Sequence, residues 1–247
     1  MKILFGQIVI ETKLFLRRKD DLFWTLVFPM FFMVLYGVIY GNQMWADYGM
    51  RAIDYMLPGI VVLALMVTGI MATASGFAEE REKGIYRRLS LTPLKRSTLI
   101  SGQILHRYLV IVAQTLLLLL VGILAFKIKI AGSYLLFWLV LTFGALCFLS
   151  IGYALTGLIK SARSATPISM SAFFILMFLG SIFIPITIMP GFLKVISNAL
   201  PSTHLGDALR LVIINGVGIG EIWKDLLIVG GWTVGCLAIT IKFFRWE

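Results

Sequence analysis

The feature that most constrains the fold of this 247-residue chain is a succession of long apolar runs. A helix of about 20 apolar residues crosses the roughly 30 Å hydrocarbon core of a bilayer. Charged residues make up 14% of the chain, whereas soluble domains average about 25%. A β-barrel would instead show strands of about ten residues with alternating polarity. We therefore predict an all-α membrane protein, a bundle of six transmembrane helices.

The charges of the connections between these runs predict the topology. Of the 22 Lys and Arg residues, 16 fall on one side together with both termini, and 6 fall on the other. Because Lys and Arg gather in cytoplasmic loops, we predict a plasma (inner) membrane protein with both termini cytoplasmic. This bias explains the net charge of +10 without a nucleic-acid partner. The single transmembrane domain, 1–247, is predicted to have spans at 22–41, 55–77, 104–126, 133–159, 167–189 and 226–244.

Residues 1–19 have a helical pattern of a different kind. Apolar side chains recur at three- and four-residue spacing, and charged ones occupy much of the remaining circumference. This predicts a helix in the cytoplasmic interface, with its apolar face in membrane lipid and its cations near anionic head groups. The alternative is a frayed basic leader before the first span. The residues of this face are Ile3, Leu4, Ile8, Val9, Thr12, Phe15 and Leu16, and the cations nearest the first span are Lys13, Arg17 and Arg18.

The outer segment, 190–225, is too long for a tight turn. Its apolar pieces are too short to span a bilayer, and they are interrupted at Pro201 and at the glycines of 216–220. Backbone that enters a membrane without crossing it must be buried in protein or line a watery cavity. The segment is therefore predicted either to be re-entrant or interfacial helix, or to be a simple folded loop.

The spans contain few ionisable or metal-binding side chains. No Asp, Glu, Lys or Arg lies clear of their ends, which disfavours a proton or ion relay. His106 and His204 are far apart, and no His/Cys cluster suits a metal. The glycine-rich phosphate loop of ATPases is missing, so we predict that this chain is not an enzyme, with no catalytic residue, metal or cofactor of its own. The two cysteines, Cys147 and Cys236, fall inside apolar runs and are interpreted as small packing residues.

Hydroxyl and amide side chains remain in the spans as candidates for the lining of a pathway. Such a lining suits a hydrophobic or amphipathic cargo better than a small ion. For any single residue, however, a bond to its own helix backbone or a role in close helix packing is the better interpretation. These residues are Thr68, Thr73, Ser75, Gln114, Thr115, Thr142, Ser150, Thr156, Ser169 and Ser171.

The segment 78–96 between the second and third spans is densely charged, and it must therefore lie in water. Acidic residues precede basic ones, an order that complements the dipole of a helix beginning near Ala78. Thr92-Pro93 is typical of a cap and first residue of the helix that leads into the third span. We expect a short cytoplasmic helix, a turn, and a second helix, forming a docking surface.

Two motifs of this chain resemble those of ABC-2 type permeases, the membrane subunits of ABC exporters. The first is the run Glu80-Arg81-Glu82-Lys83-Gly84, followed by Arg87-Arg88-Leu89 and Thr92-Pro93-Leu94. The second is Asn198-Ala199-Leu200-Pro201 with His204-Leu205-Gly206-Asp207-Ala208-Leu209-Arg210. The family often has Asn-Pro directly before the Asp-Ala-Leu-Arg stretch, and this chain departs from it there.

The resemblance implies a mechanism. Two permease copies form a dimer and bind two copies of a separate ABC ATPase, which carries the ATP and magnesium. The segment 79–90 acts as the coupling helix, seated in a groove of that ATPase, and the cargo is a drug, lipid, peptide or glycan-like compound. The implied coupling residues are Glu79, Glu80, Arg81, Glu82, Gly84, Arg87, Arg88 and Pro93. The implied outer-segment residues are Pro201, His204, Asp207 and Arg210.

Two alternatives remain open from the sequence. A secondary carrier or channel would need no ATPase, but it would be expected to have coupling-ion residues in its spans. A membrane-embedded sensor or scaffold could use the same cytoplasmic docking helix to bind a partner without moving cargo.

Overall fold

A computed structural model of the chain describes residues 2–40, 43–45, 50–89, 96–159, 161–183, 186 and 189–243. The elements are α1 (Lys2–Arg17), α2 (Lys19–Tyr40), β1 (Met44–Trp45), β2 (Met50–Arg51), α3 (Ala52–Glu82), α4 (Ile85–Leu89), α5 (Arg96–Phe126), α6 (Tyr134–Leu158), α7 (Ala162–Leu179), α8 (Gly191–Ser197), α9 (Pro201–Arg210) and α10 (Ile219–Phe243). The two short strands pair antiparallel. Within these described residues, six helices are long and apolar enough to cross a membrane, namely α2, α3, α5, α6, α7 and α10. The prediction of a six-helix membrane bundle is confirmed.

The fifth span, α7, differs most from the predicted range 167–189. Its helix begins five residues earlier, because the side chain of Ser161 accepts a hydrogen bond from the backbone N–H of Ser164 and caps the helix. It also ends earlier, at Leu179, and Ser181 has a φ of 53° in the turn that follows. The apolar run marks where the helix enters an apolar setting, whereas the capping residue marks where the helix starts.

The central helix of the bundle is α3. Its side chains from Tyr55 to Met71 are all buried, and it contacts α2, α5, α6, α7 and α9. A helix that is apolar on all sides can be surrounded by lipid or by other helices. Here α2, α5, α6 and α7 pack around α3, and several spans keep much of their apolar surface exposed.

Helices α3 and α6 approach each other closely at glycines. A Cβ built on Gly152 of α6 would lie 2.1 Å from the carbonyl oxygen of Gly69 in α3. A Cβ on Gly69 would lie 2.6 Å from the Cβ of Phe148. Helices in a membrane gain little from burying apolar surface against each other, so close backbone approach through small residues is a main source of their association.

Most of the candidate lining residues bond their own helices. Hydroxyls donate to backbone carbonyls three to five residues earlier in the chain, at Thr73, Ser75, Thr142, Ser150, Thr156, Ser169 and Ser171. Gln114 of α5 is different, because its amide donates to the carbonyl of Ala64 at 2.8 Å and accepts from the hydroxyl of Thr68 at 3.1 Å. These bonds tie α5 to α3 inside the bundle.

Within the outer segment, residues 201–210 form a helix, α9, that packs against the bundle. Pro201 is the first residue of α9, where its missing N–H costs nothing, and most of α9 is buried. The side chain of Leu205 lies against Gly144. Gly144 is ten residues into α6, which begins at Tyr134, so α9 reaches about 15 Å below the end of that helix. A simple surface loop is excluded for 201–210.

Polar contacts hold α9 in place. Arg210 is buried, and its guanidinium donates to Asp207 at 2.8 Å and to the carbonyls of Ser181 and Ile182 at 2.7 and 3.0 Å. The same group lies 4.4 Å from the centre of the Tyr55 ring. Arg210 thereby satisfies backbone carbonyls that are left open where α7 ends.

His204 joins α9 to the last span. Its Nδ1 lies 2.7 Å from Asp225 Oδ1, and its Nε2 lies 2.8 Å from the carbonyl oxygen of Asn198. Both partners are acceptors, so the ring satisfies both when it is the imidazolium, which donates from each nitrogen. The hydrogen bond to Asp225 raises the pKa of His204, with a smaller opposing effect of burial.

The first prediction concerns the α3–α6 contact. Gly152→Ala should lower the unfolding free energy by about 1–3 kcal/mol, because the new methyl meets a backbone oxygen that cannot move aside cheaply. The matched control is Gly231→Ala in α10, where a Cβ meets nothing within 4 Å. It should leave stability unchanged or raise it slightly. Thermal unfolding of the purified protein in detergent checks both, and equal effects of the two changes would contradict the assigned contact.

The second prediction concerns pH. The raised pKa of His204 means that its contribution to stability is complete below its ordinary pKa of 6.5 and is lost as pH rises through the raised value. Protein stability measured from pH 5.5 to 9 should fall across that window. The fall should be absent in His204→Gln, and an identical slope in that variant would exclude His204 as its origin.

Candidate functional site

Residues 78–89, which are predicted to form a cytoplasmic docking surface and are called the docking end below, are built from two helices and not one. The helix α3 continues through Glu82, the chain turns at Lys83 and Gly84, and α4 follows. Gly84 has a φ of +65°, a left-handed conformation that glycine adopts without strain. The helix predicted to begin near Ala78 is therefore the last turn of α3, and the acidic and basic residues of the motif lie on different helices.

A buried hydrogen-bond network joins α3, α4 and α5. The Tyr86 hydroxyl donates to Glu80 Oε2 at 2.5 Å, and the Gln103 amide donates to the same oxygen at 2.8 Å and to the Tyr86 oxygen at 3.0 Å. All three residues are less than 10% exposed. Burial, together with the charge of Glu80, raises the pKa of Tyr86, so the phenol remains a neutral donor. The Tyr86 ring also stacks on Phe77, with centroids 4.5 Å apart.

Arg81 and Glu82 hold the neighbouring turn between α6 and α7. The Arg81 guanidinium donates to the carbonyls of Thr156, at 3.4 Å, and of Ile159. Glu82 Oε2 accepts a bond from the backbone N–H of Ala162 at 2.9 Å. A cation at the end of one helix and an anion at the start of the next both complement helix dipoles. Both residues therefore form their hydrogen bonds within this chain, to the turn between α6 and α7.

Glu79 connects the start of the chain to the docking end. Its carboxylate pairs with Lys83, and it lies 3.5 Å from the guanidinium of Arg18, which is also 3.6 Å from Asp21. These groups are a third or more exposed. Exposed ion pairs contribute about 0–1 kcal/mol each, so they orient side chains more than they stabilise the fold.

The basic residues of the docking end are exposed on the surface of the protein. Arg87 and Arg88 are exposed on α4, and the Arg88 guanidinium donates to the carbonyl of Lys83 at 3.2 Å. Lys13 and Arg17 are exposed on α1. Pro93 lies outside the described residues. The outer-segment residues are at the other end of α3: Tyr55, which contacts Arg210, and Glu80 are about 37 Å apart along the helix axis.

The N-terminal helix α1 packs on α5. The Gln7 amide donates to the carbonyl of Leu99 at 2.7 Å, and the Thr12 hydroxyl lies 3.3 Å from Nδ1 of His106. Phe15 meets the ring of His106 edge-on, with centroids 6.0 Å apart. Part of the face predicted to lie in lipid therefore contacts protein, because α5 extends beyond its predicted start at residue 104 and offers α1 a partner. Leu16 remains exposed.

Tyr86 and Gln103 are the site residues that the sequence did not reveal. Tyr86 stands as the sole aromatic residue in the charged run of 79–96, which is a weak signal. Gln103 is 23 positions from Glu80, and no spacing rule links residues on two helices joined by a long connection.

Comparisons with known proteins agree with this architecture. The family model described as "ABC-2 family transporter protein" matches residues 46–242. The putative transport permease YvfS of Bacillus subtilis (strain 168) is 26% identical over 230 residues, covering 93% of this chain and 91% of that protein. The daunorubicin resistance ABC transporter permease protein DrrB1 of Streptomyces coeruleorubidus is 25% identical over 224 residues, with coverages of 88% and 77%.

A third relative is longer. ABC transporter G family member 20 of Dictyostelium discoideum is 26% identical over 205 residues, which are 82% of this chain but 27% of that protein. The resemblance first drawn from the charged run and the outer motif is confirmed. The family match covers most of the chain, and relatives of similar extent are permeases, so this chain belongs to the ABC-2 transporter family as a transmembrane permease.

Proposed function

We propose that this permease is the membrane subunit of an ATP-driven exporter, which works as a dimer with a separate ATPase. The ATPase subunit supplies the site for ATP and magnesium, and this chain receives the movement at residues 78–89. The observation that carries the proposal is the division of that segment. Arg87 and Arg88 are exposed on α4, whereas the preceding residue, Tyr86, is buried and hydrogen-bonded to Glu80 of α3.

The contacts of Tyr86 provide a route by which movement of α4 reaches the rest of the permease. Tyr86 is linked to Glu80 and Gln103 through hydrogen bonds and to Phe77 through ring stacking. Glu80 and Phe77 are in the last turns of α3, the buried central helix. A partner that pushes or pulls α4 therefore acts directly on α3 and α5. Arg81 and Glu82 extend the same connection to the turn between α6 and α7.

The charge of α4 indicates the chemistry of the partner surface. Exposed guanidinium groups suit a groove with carboxylates, since complementary charge raises the rate and specificity of association. Glu79 and Lys83 pair with each other, so they contribute little net charge. The membrane-interface position of α1, with Lys13 and Arg17 near lipid head groups, is part of the same proposal.

The proposed cargo is hydrophobic or amphipathic, which the apolar character of the spans supports. The relative DrrB1 is named for resistance to daunorubicin, and that name describes the relative. A dimer would place the exposed apolar faces of α2 and α7 against a second copy or around a shared pathway. A secondary carrier would differ in transporting cargo without any ATPase.

The third prediction tests the partner surface. The double change Arg87→Glu and Arg88→Glu should weaken binding of the ATPase about tenfold or more, because two attractive contacts become repulsive. Co-purification with the partner ATPase, at low and high salt, measures the effect. The matched control is Lys127→Glu with Lys129→Glu, two exposed lysines between α5 and α6. Equal binding by the first variant and the wild type would overturn the docking proposal.

The fourth prediction tests transmission. Tyr86→Phe removes one donor from the buried Glu80 carboxylate, and it should lower stability by about 1–3 kcal/mol. In vesicles with the ATPase, ATP hydrolysis should persist while cargo efflux falls. Tyr134→Phe, at a residue that is 61% exposed, is the control and should change neither. Loss of hydrolysis and efflux in equal proportion would contradict a role in transmission.

A further inference from the structure

A cavity of about 400 Å³ lies between α1, α4 and α5 at the docking end. Pockets that hold small organic ligands have volumes of about 300–1,000 Å³ and walls that are mostly apolar with a few polar groups. On α1 the lining residues recur along one helix face. The lining consists of Gly6, Gln7, Ile10, Glu11, Leu14, Glu80, Ile85, Tyr86, Leu99 and Gln103.

The described lining residues carry charge of one sign. Glu11 and Glu80 both line the cavity, and no Lys or Arg is among the described lining residues. Burial raises the pKa of Glu11, and the charge of Glu80 raises it further, whereas Arg107, a hydrogen bond with Gln103 and Arg18 lower it. Arg18 and Arg107 line a neighbouring cavity together with the same two carboxylates. On the side of the present cavity no described lining residue is basic, so a ligand cation there would be attracted by both carboxylates.

We propose that this cavity binds an amphipathic organic cation. The apolar body of the ligand lies among Ile10, Leu14 and Ile85, and its positive charge lies beside Glu11 and Glu80. An aromatic or aliphatic ammonium or phosphonium compound combines the apolar surface and the charge that the lining requires. An anion or a neutral sugar would meet the wrong charge or too few polar partners.

The cavity is separate from the surface proposed to bind the ATPase. Ile85 and Tyr86 line the cavity, whereas Arg87 and Arg88 are exposed and are not among its described lining residues. The ligand site is a property of the permease alone. The test of the ligand site therefore needs no ATPase. The ligand-site proposal can fail while the docking proposal stands, and the docking proposal can fail while the ligand-site proposal stands.

Equilibrium dialysis with purified full-length protein in uncharged detergent tests the proposal. The probe is tetraphenylphosphonium. A parallel dialysis of empty micelles measures how much probe partitions into the detergent, and this amount is subtracted. Wild-type protein should bind the probe at one saturable site per chain. Glu11→Gln should weaken this binding about tenfold or more, through loss of one charge contact. Tetraphenylborate, an anion of similar shape and size, should show no saturable site.

Two further variants separate the cavity from general surface charge. Gly6→Leu should abolish binding by filling the cavity, and it should not unfold α1, because leucine favours helix more than glycine does and a Cβ there meets nothing within 4 Å. Asp20→Asn, an exposed carboxylate outside the lining, should bind like the wild type. Wild-type affinity in Glu11→Gln or Gly6→Leu, or saturable binding of tetraphenylborate, would overturn the proposal.

Discussion

The backbone contact between Gly69 of α3 and Gly152 of α6 is the interaction on which the arrangement of the bundle depends. It allows α3 to be surrounded so closely that its long apolar surface is almost completely buried. In a membrane, where apolar surface is as well solvated by lipid as by protein, such packing and a few interhelical hydrogen bonds supply the stability. Gln114 provides the clearest of these bonds, between α5 and α3.

Both polar ends of the permease are attached to this central helix. At one end Arg210 lies over Tyr55 and bonds the carbonyls after α7. At the other end Glu80 holds Tyr86 of α4. The continuous helix between these residues, about 37 Å long, provides a physical connection between the docking end and α9. In the proposed exporter, movement at α4 would reach the other side of the membrane through α3.

The docking end combines two kinds of charged residue that look alike in the sequence. Arg81 and Glu82 have backbone partners in the α6–α7 turn, and Glu80 is buried. Arg87 and Arg88 are exposed on the next helix. The proposed contact surface is therefore smaller and more basic than the motif as a whole. The cavity beside it has the opposite charge, which is the basis for proposing a cationic ligand there.

The sequence by itself determined the class of the protein, the number of spans and the position of the charged segment. Apolar runs and charge are local properties, and the bilayer imposes them directly on the chain. The tertiary structure alone decided that 201–210 is a mostly buried helix, that Gly84 divides the docking segment, and that Gln103 bonds Glu80. These features depend on which helices become neighbours, and that choice is made by packing between residues far apart in the chain, such as Gly144 with Leu205.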